Sequence, residues 1–178
     1  MRKILTLLIA LMALTANAQD YSALTQDNHP RLFLVDSDFE QIKERVQNDS
    51  DDALTALHGL IMKRASSVGL DPSPIEYSFD EGGKRLLETS RRTLERIFLC
   101  SYAYRYTGSR QFLDHATSDL ESVCSFSSWN AENHFLDAAE MALAVGIGYD
   151  WLYDELPSET KQRILSALDR YAFTPSED

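Results

Sequence analysis

Gly108 separates two long stretches in which apolar residues recur at helical spacing, and that arrangement constrains the fold more than any other feature of the chain. Before it, from Lys84 to Thr107, Leu87, Leu94, Ile97, Phe98, Ser101 and Tyr102 make one stripe. After it, Phe112, Leu113, Ala116, Leu120 and Val123 make another, with Ser109 placed to cap the second helix. A glycine just past a helix end adopts the left-handed conformation that stops it. So short a break forces an antiparallel αα-hairpin. The pattern returns at Asn133, 49 residues after Lys84. There the helix from Asn133 to Tyr153 is apolar nearly all round between Ala138 and Gly148, as in helices buried on most sides. Ser158 then caps Glu159 to Tyr171, whose stripe is Ile164, Leu165 and Leu168. A fixed period of this size belongs to repeat architectures. A buried inner helix joined to a two-faced outer helix predicts an all-α fold, an incomplete (α/α) toroid of helical hairpins. A tetratricopeptide-type solenoid repeats at about 34 residues, which does not fit. Seven glycines and five prolines supply too few turns for an all-β sandwich or barrel.

Residues 1–18 are set apart from this pattern. Met1-Arg2-Lys3 is positive, Ile4 to Leu14 is an apolar run broken by Thr6, and Ala16-Asn17-Ala18 is a small-x-small cleavage site. This is the build of a secretory signal peptide, so export to the periplasm or beyond is expected, with a mature chain from Gln19. The run is too short to span a membrane. Residues 19–35 read as an extended leader, in which Pro30 holds His29 extended. Residues 36–178 read as the helical domain. Ser37 and Glu40 form a capping box for a helix carrying Phe39, Ile42 and Val46. From Asp51, Leu54, Leu57, Leu60, Ile61 and Ala65 make the next stripe, which Gly69 stops. The net charge is −11, and −13 once Arg2 and Lys3 leave with the leader, so no nucleic-acid partner is expected. Cys100 and Cys124 lie too far apart along a simple hairpin to bridge, and two buried thiols are expected.

The chemistry-bearing residues crowd one segment, Ser127 to Met141. There Trp129, Asn130, His134, Asp137 and Glu140 stand at the entrance to the most apolar helix, and Tyr149 and Trp151 stand at its far end. Two readings compete. Trp129 stacks on a sugar while the polar side chains line a cleft, or the polar groups are buried and satisfy the loop backbone and one another. A metal site is disfavoured, because i, i+3, i+6 spacing spreads His134, Asp137 and Glu140 too widely for three strong ligands. No cofactor is expected. Asp137 and Glu140 share a helix side by side, which does not suit the facing carboxylates of a glycoside hydrolase. Arg91 and Arg92 with Glu88 and Glu95 read as an ion-pair lattice along one helix. His58 and His115 read as surface or boundary residues, and Tyr77 and Phe79 as exposed aromatics in the loop from Pro72 to Gly83.

His29-Pro30-Arg31-Leu32-Phe33, Ser90-Arg91-Arg92, Tyr106-Thr107-Gly108 and above all Trp129-Asn130, His134-Phe135-Leu136-Asp137-Ala138-Ala139-Glu140 and Gly146-Ile147-Gly148-Tyr149-Asp150-Trp151-Leu152-Tyr153 resemble the N-terminal helical domain of heparinase II/III-like proteins. The resemblance covers nearly all of the mature chain. It implies an exported polysaccharide lyase whose partner is an acidic polysaccharide of glycosaminoglycan or alginate type. In such enzymes an Asn or His neutralises the uronate carboxylate, a Tyr or His removes the C5 proton, and a Tyr protonates the leaving oxygen, giving β-elimination. Those catalytic segments, and the β-sandwich domains, are expected beyond the equivalent of Asp178. No catalytic residue therefore maps onto this chain, which is expected to be an inactive N-terminal part of the toroid. The alternative is a non-catalytic carbohydrate-binding or structural helical module. The candidate cleft residues are Trp129, Asn130, His134, Asp137, Glu140, Tyr149 and Trp151.

Overall fold

The computed structural model describes residues 28–176. The signal-peptide reading and most of the leader lie outside them. Six α-helices follow: α1 (Asp36–Gln47), α2 (Asp52–Gly69), α3 (Leu87–Thr107), α4 (Arg110–Cys124), α5 (Phe135–Trp151) and α6 (Ser158–Leu168). A π-helical turn (Asp169–Phe173) and a short 3-10 turn (Thr174–Ser176) extend α6. The described residues are all-helical, as the periodicity predicts, and none of their helices is long and apolar enough to cross a membrane.

Gly108 sits at φ 70°, the left-handed end of α3, and its N–H donates to the Tyr104 carbonyl. The hairpin turn is therefore the one expected, although Ser109 makes no side-chain cap and instead donates its N–H to Thr107 Oγ1 at 3.1 Å. Other boundaries differ by one to three residues. α1 starts at Asp36, so Asp38 rather than Glu40 accepts the Val35 N–H, at 2.9 Å, and Glu40 pairs with Lys43 instead. Ser158 is the first residue of α6 and Pro157 its cap. α3 begins at Leu87 rather than Lys84, because the Asp80 carboxylate takes the N–H groups of Lys84 and Arg85 into a turn. α5 begins at Phe135 with His134 as its cap. Asp51 caps α2 by accepting the Leu54 N–H at 2.9 Å.

The core lies where α3 and α5 pack along each other, with α4 against both, α2 mainly on α3 and touching α4, and α6 on α4 and α5. Ile97, Cys100 and Ala103 of α3 meet Ala138, Met141 and Val145 of α5 and Leu120 and Val123 of α4, all with no exposed surface. The stripes of α3, α4 and α5 are thus largely buried. Those of α2 and α6 are only partly so: Leu57, Leu60 and Leu165 are exposed, because each helix has neighbours on fewer sides. Cys100 and Cys124 are free thiols, and burial pushes each up to about 12.

Gly148 marks the closest approach in this core. A Cβ there would lie 2.6 Å from Ile97 Cγ2 and 3.0 Å from Leu120 Cδ2. Both neighbours are fully buried and have nowhere to yield. Gly148→Ala should therefore cost about 1–3 kcal/mol, despite the better helix propensity of alanine. A urea-denaturation midpoint at or above the wild-type value would contradict this close approach.

Candidate functional site

Three carboxylates on α5 organise the residues that the sequence singles out. Asp137, on the first turn, has no exposed surface. Its Oδ1 accepts Arg85 Nη2 at 2.9 Å and Nε at 3.2 Å, and its Oδ2 accepts the Leu86 N–H at 2.7 Å and Asn130 Nδ2 at 2.9 Å. Burial alone would raise the Asp137 carboxyl. The bonds from Arg85, Asn130 and the Leu86 N–H outweigh it and hold the group below the ordinary carboxylate value. Asn130 is itself held in the left-handed region, at φ 66°, a conformation that asparagine tolerates better than most residues. From there its Nδ2 also donates to the Lys84 carbonyl at 2.9 Å, and its Oδ1 accepts Asn133 Nδ2 at 3.1 Å. Asp137 and Asn130 thus fasten the loop before α3 to the loop before α5.

Glu140, one turn on, accepts Ser90 Oγ at 2.9 Å and lies 3.6 Å from Arg91 Nε. At the far end Asp150, 2% exposed, accepts the N–H groups of Arg31 and Leu32 at 2.7 Å each, and its Oδ1 lies 2.6 Å from His29 Nδ1. Trp151 Nε1 donates to the Leu32 carbonyl at 2.8 Å, and the His29 ring stacks on Tyr153 at 3.9 Å. The His-Pro-Arg-Leu segment and the Tyr-Asp-Trp segment, about 120 residues apart in the chain, therefore meet in one clamp.

Most of the candidates lie inside the protein. Trp129 offers no open face for stacking. It is fully buried, donates Nε1 to the Val123 carbonyl at 3.0 Å and lies against Tyr171. Asn130, Asp137 and Trp151 are likewise buried and bonded within the protein, and Tyr149 is half-buried edge-on to His29. His134 alone combines exposure with an unpaired group. Its ring is 38% exposed, yet its Nδ1 is buried without a hydrogen bond, 4.0 Å from Asp137 Oδ1.

Other expectations change too. The charges of α3 pair between elements rather than along the helix: Arg92 with Asp71 at 3.0 Å and Glu95 with Arg64 of α2 at 2.6 Å. His115 is a boundary residue, its side chain 10% exposed. It lies in a buried cluster in which Arg96 makes two 2.8 Å bonds to Asp119 and His115 Nε2 lies 2.8 Å from the Asp71 carbonyl. His58 is half-buried, 2.9 Å from the Tyr102 hydroxyl. Tyr77 is exposed as expected, with its hydroxyl 3.0 Å from Ser128 Oγ, whereas Phe79 is half-buried.

Beside the Asp137 hub lies an open cleft of about 570 Å³. Phe79, Asp80, Lys84 and Arg85 line it from one loop, and Asn133 and His134 from the other. Sequence reasoning named His134 but not Lys84 or Arg85, since nothing local ties them to a residue some fifty positions away. Among the described residues no group of three or more His, Cys, Asp or Glu side chains is gathered as metal ligands would be. Compared with known proteins, the chain matches no family model and no curated sequence.

Proposed function

We propose that this chain is the N-terminal helical part of an exported polysaccharide lyase, an incomplete (α/α) toroid that contributes to holding a uronic-acid polymer and is inactive by itself. The observation that carries the reading is the meeting of motif segments: His29 to Leu32 on Asp150, Ser90 on Glu140, and Asn130 on Asp137. The residues that carry the family resemblance are those that join the parts of the fold. The packing of α3 on α5, with α4 touching α2 and α6, supports an inner row of helices backed by an outer one.

A second reading has an observation of its own. Asp137, Asp150 and Asn130 are occupied in holding the fold, which favours a helical carbohydrate-binding module without chemistry. Two measurements separate them. The chain as it stands should retain alginate or heparan-type glycosaminoglycan over neutral dextran and release no 4,5-unsaturated ends in the ultraviolet. The longest reading frame continuing past codon 178, expressed whole, should release them under the lyase reading and only bind under the second. Elimination by the present chain alone would overturn its inactivity, and indifference to every uronate polymer would overturn the lyase reading.

A further inference from the structure

The cleft between the two loops brings cationic, amide and aromatic side chains together. Lys84 is exposed on its rim and forms no ion pair among the described residues. Arg85 is fixed beside it by Asp137. Asn133 adds an exposed amide, and Phe79 adds an aromatic wall against which the apolar face of a sugar ring can lie. Phe79 is itself steadied edge-on by Tyr77, at 5.2 Å between rings. Polar donors beside an aromatic surface are the mixture that an acidic sugar requires.

The charges facing His134 set the balance. On its own helix there is Asp137, and on the opposite loop Lys84, Arg85 and Asp80. Glu132 precedes it on its own loop but does not line the cleft. Two cations thus face two carboxylates, and the cleft is near neutral while His134 is uncharged. Protonation of His134 changes this in two ways. It adds a positive charge, and it makes the exposed edge of the ring, which carries Nε2, a donor while the buried Nδ1–H faces Asp137.

We propose that this cleft binds a single uronate unit of an acidic saccharide through Lys84 and His134, with the sugar ring on Phe79, and that it binds more tightly as the medium becomes acidic. The inference rests on the acidic-polysaccharide reading above and deepens it. Histidine changes charge between about pH 5 and about pH 8. A uronate carboxylate stays ionised over that range, so the gain belongs to the protein.

The test is titration calorimetry of the whole chain with trimannuronate, and with the same trisaccharide whose carboxyls have been reduced to alcohols, at about pH 7.5 and about pH 5.5. Affinity for trimannuronate should rise about three- to tenfold at the lower pH. His134→Gln should abolish that rise. Lys84→Ala should weaken binding about fivefold at both pH values. The reduced trisaccharide should bind more weakly, with no pH gain. Neither side chain makes a hydrogen bond that holds the fold, so thermal melts of the two variants should match the wild type. Unchanged affinity in both variants, or a pH gain that survives in His134→Gln, overturns this site. Retention of the polymer would leave the lyase reading standing in that event. Failure of the wild type to bind either trimannuronate or the polymer overturns both.

Discussion

Replacing Arg96 by alanine should cost about 3–5 kcal/mol of folding stability, among the largest losses from a single site in this chain. Arg96 is 3% exposed and Asp119 1%. They are joined by two parallel 2.8 Å bonds, Nε to Oδ2 and Nη2 to Oδ1. Arg96 Nη1 also donates to the Ser73 carbonyl at 2.9 Å, so one guanidinium ties α3, α4 and the loop after α2 together. Burial already pushes the Asp119 carboxyl above its ordinary value, and Arg96 and His115 oppose that rise. Without Arg96, the carboxylate must be protonated or left buried against His115 alone, and both cost free energy. The pair is not needed because ion pairs are strong. A buried pair is often replaceable by apolar residues of similar volume with little loss. Arg96→Met with Asp119→Leu should therefore recover most of the stability that Arg96→Ala loses. Urea denaturation followed by circular dichroism measures all three. A loss below about 1 kcal/mol in Arg96→Ala, the level of an exposed pair, would show that the cluster is wet rather than buried.

That cluster also shows where legibility in the sequence ends. Periodicity locates α3, α4 and α5 because their apolar stripes are long and each ends at a chemical signal, Gly108 above all. It places Ile97, Leu120 and Val145 in the core for the same reason. Where a helix has neighbours on fewer sides, the stripe overstates burial, as Leu57 and Leu165 show. Partners distant in sequence are invisible to spacing. Arg92 could be assigned a glutamate one turn away, but its actual partner is Asp71, brought up by a loop. Asp150 stands among the motif residues with no role that spacing can assign, because its partners lie 118 to 121 positions earlier. A physical signal was nevertheless present. α5 is apolar nearly all round between Ala138 and Gly148, and a carboxylate at either end of so apolar a stretch is favoured to be buried and bonded. Applied to Asp137 and Asp150, that rule favours structural anchors over cleft-lining groups. It has no bearing on Lys84, whose relevance appears only when two loops are brought together.

Asp137→Asn should cost about 2–4 kcal/mol at neutral pH, and the loss should shrink in acid. The carboxylate accepts four hydrogen bonds with no exposed surface. An asparagine keeps one acceptor oxygen and turns an amide NH₂ toward donors. It leaves either Arg85, or Asn130 and the Leu86 N–H, without an acceptor. The direction of the pH dependence follows from the depressed Asp137 carboxyl, whose unfolded value is 3.8. A carboxyl depressed on folding contributes its stability fully above the unfolded value, and that contribution is lost as pH falls from there through the folded value. The difference between wild type and Asp137→Asn should thus be constant from about pH 8 to about pH 5 and narrow steadily below about pH 4. Urea midpoints at about pH 7 and about pH 3 test this. A difference that stays the same in acid would mean that Asp137 acts through shape alone. One that widens in acid would mean that its carboxyl is raised rather than depressed, and that the bonds from Arg85, Asn130 and Leu86 do not outweigh its burial.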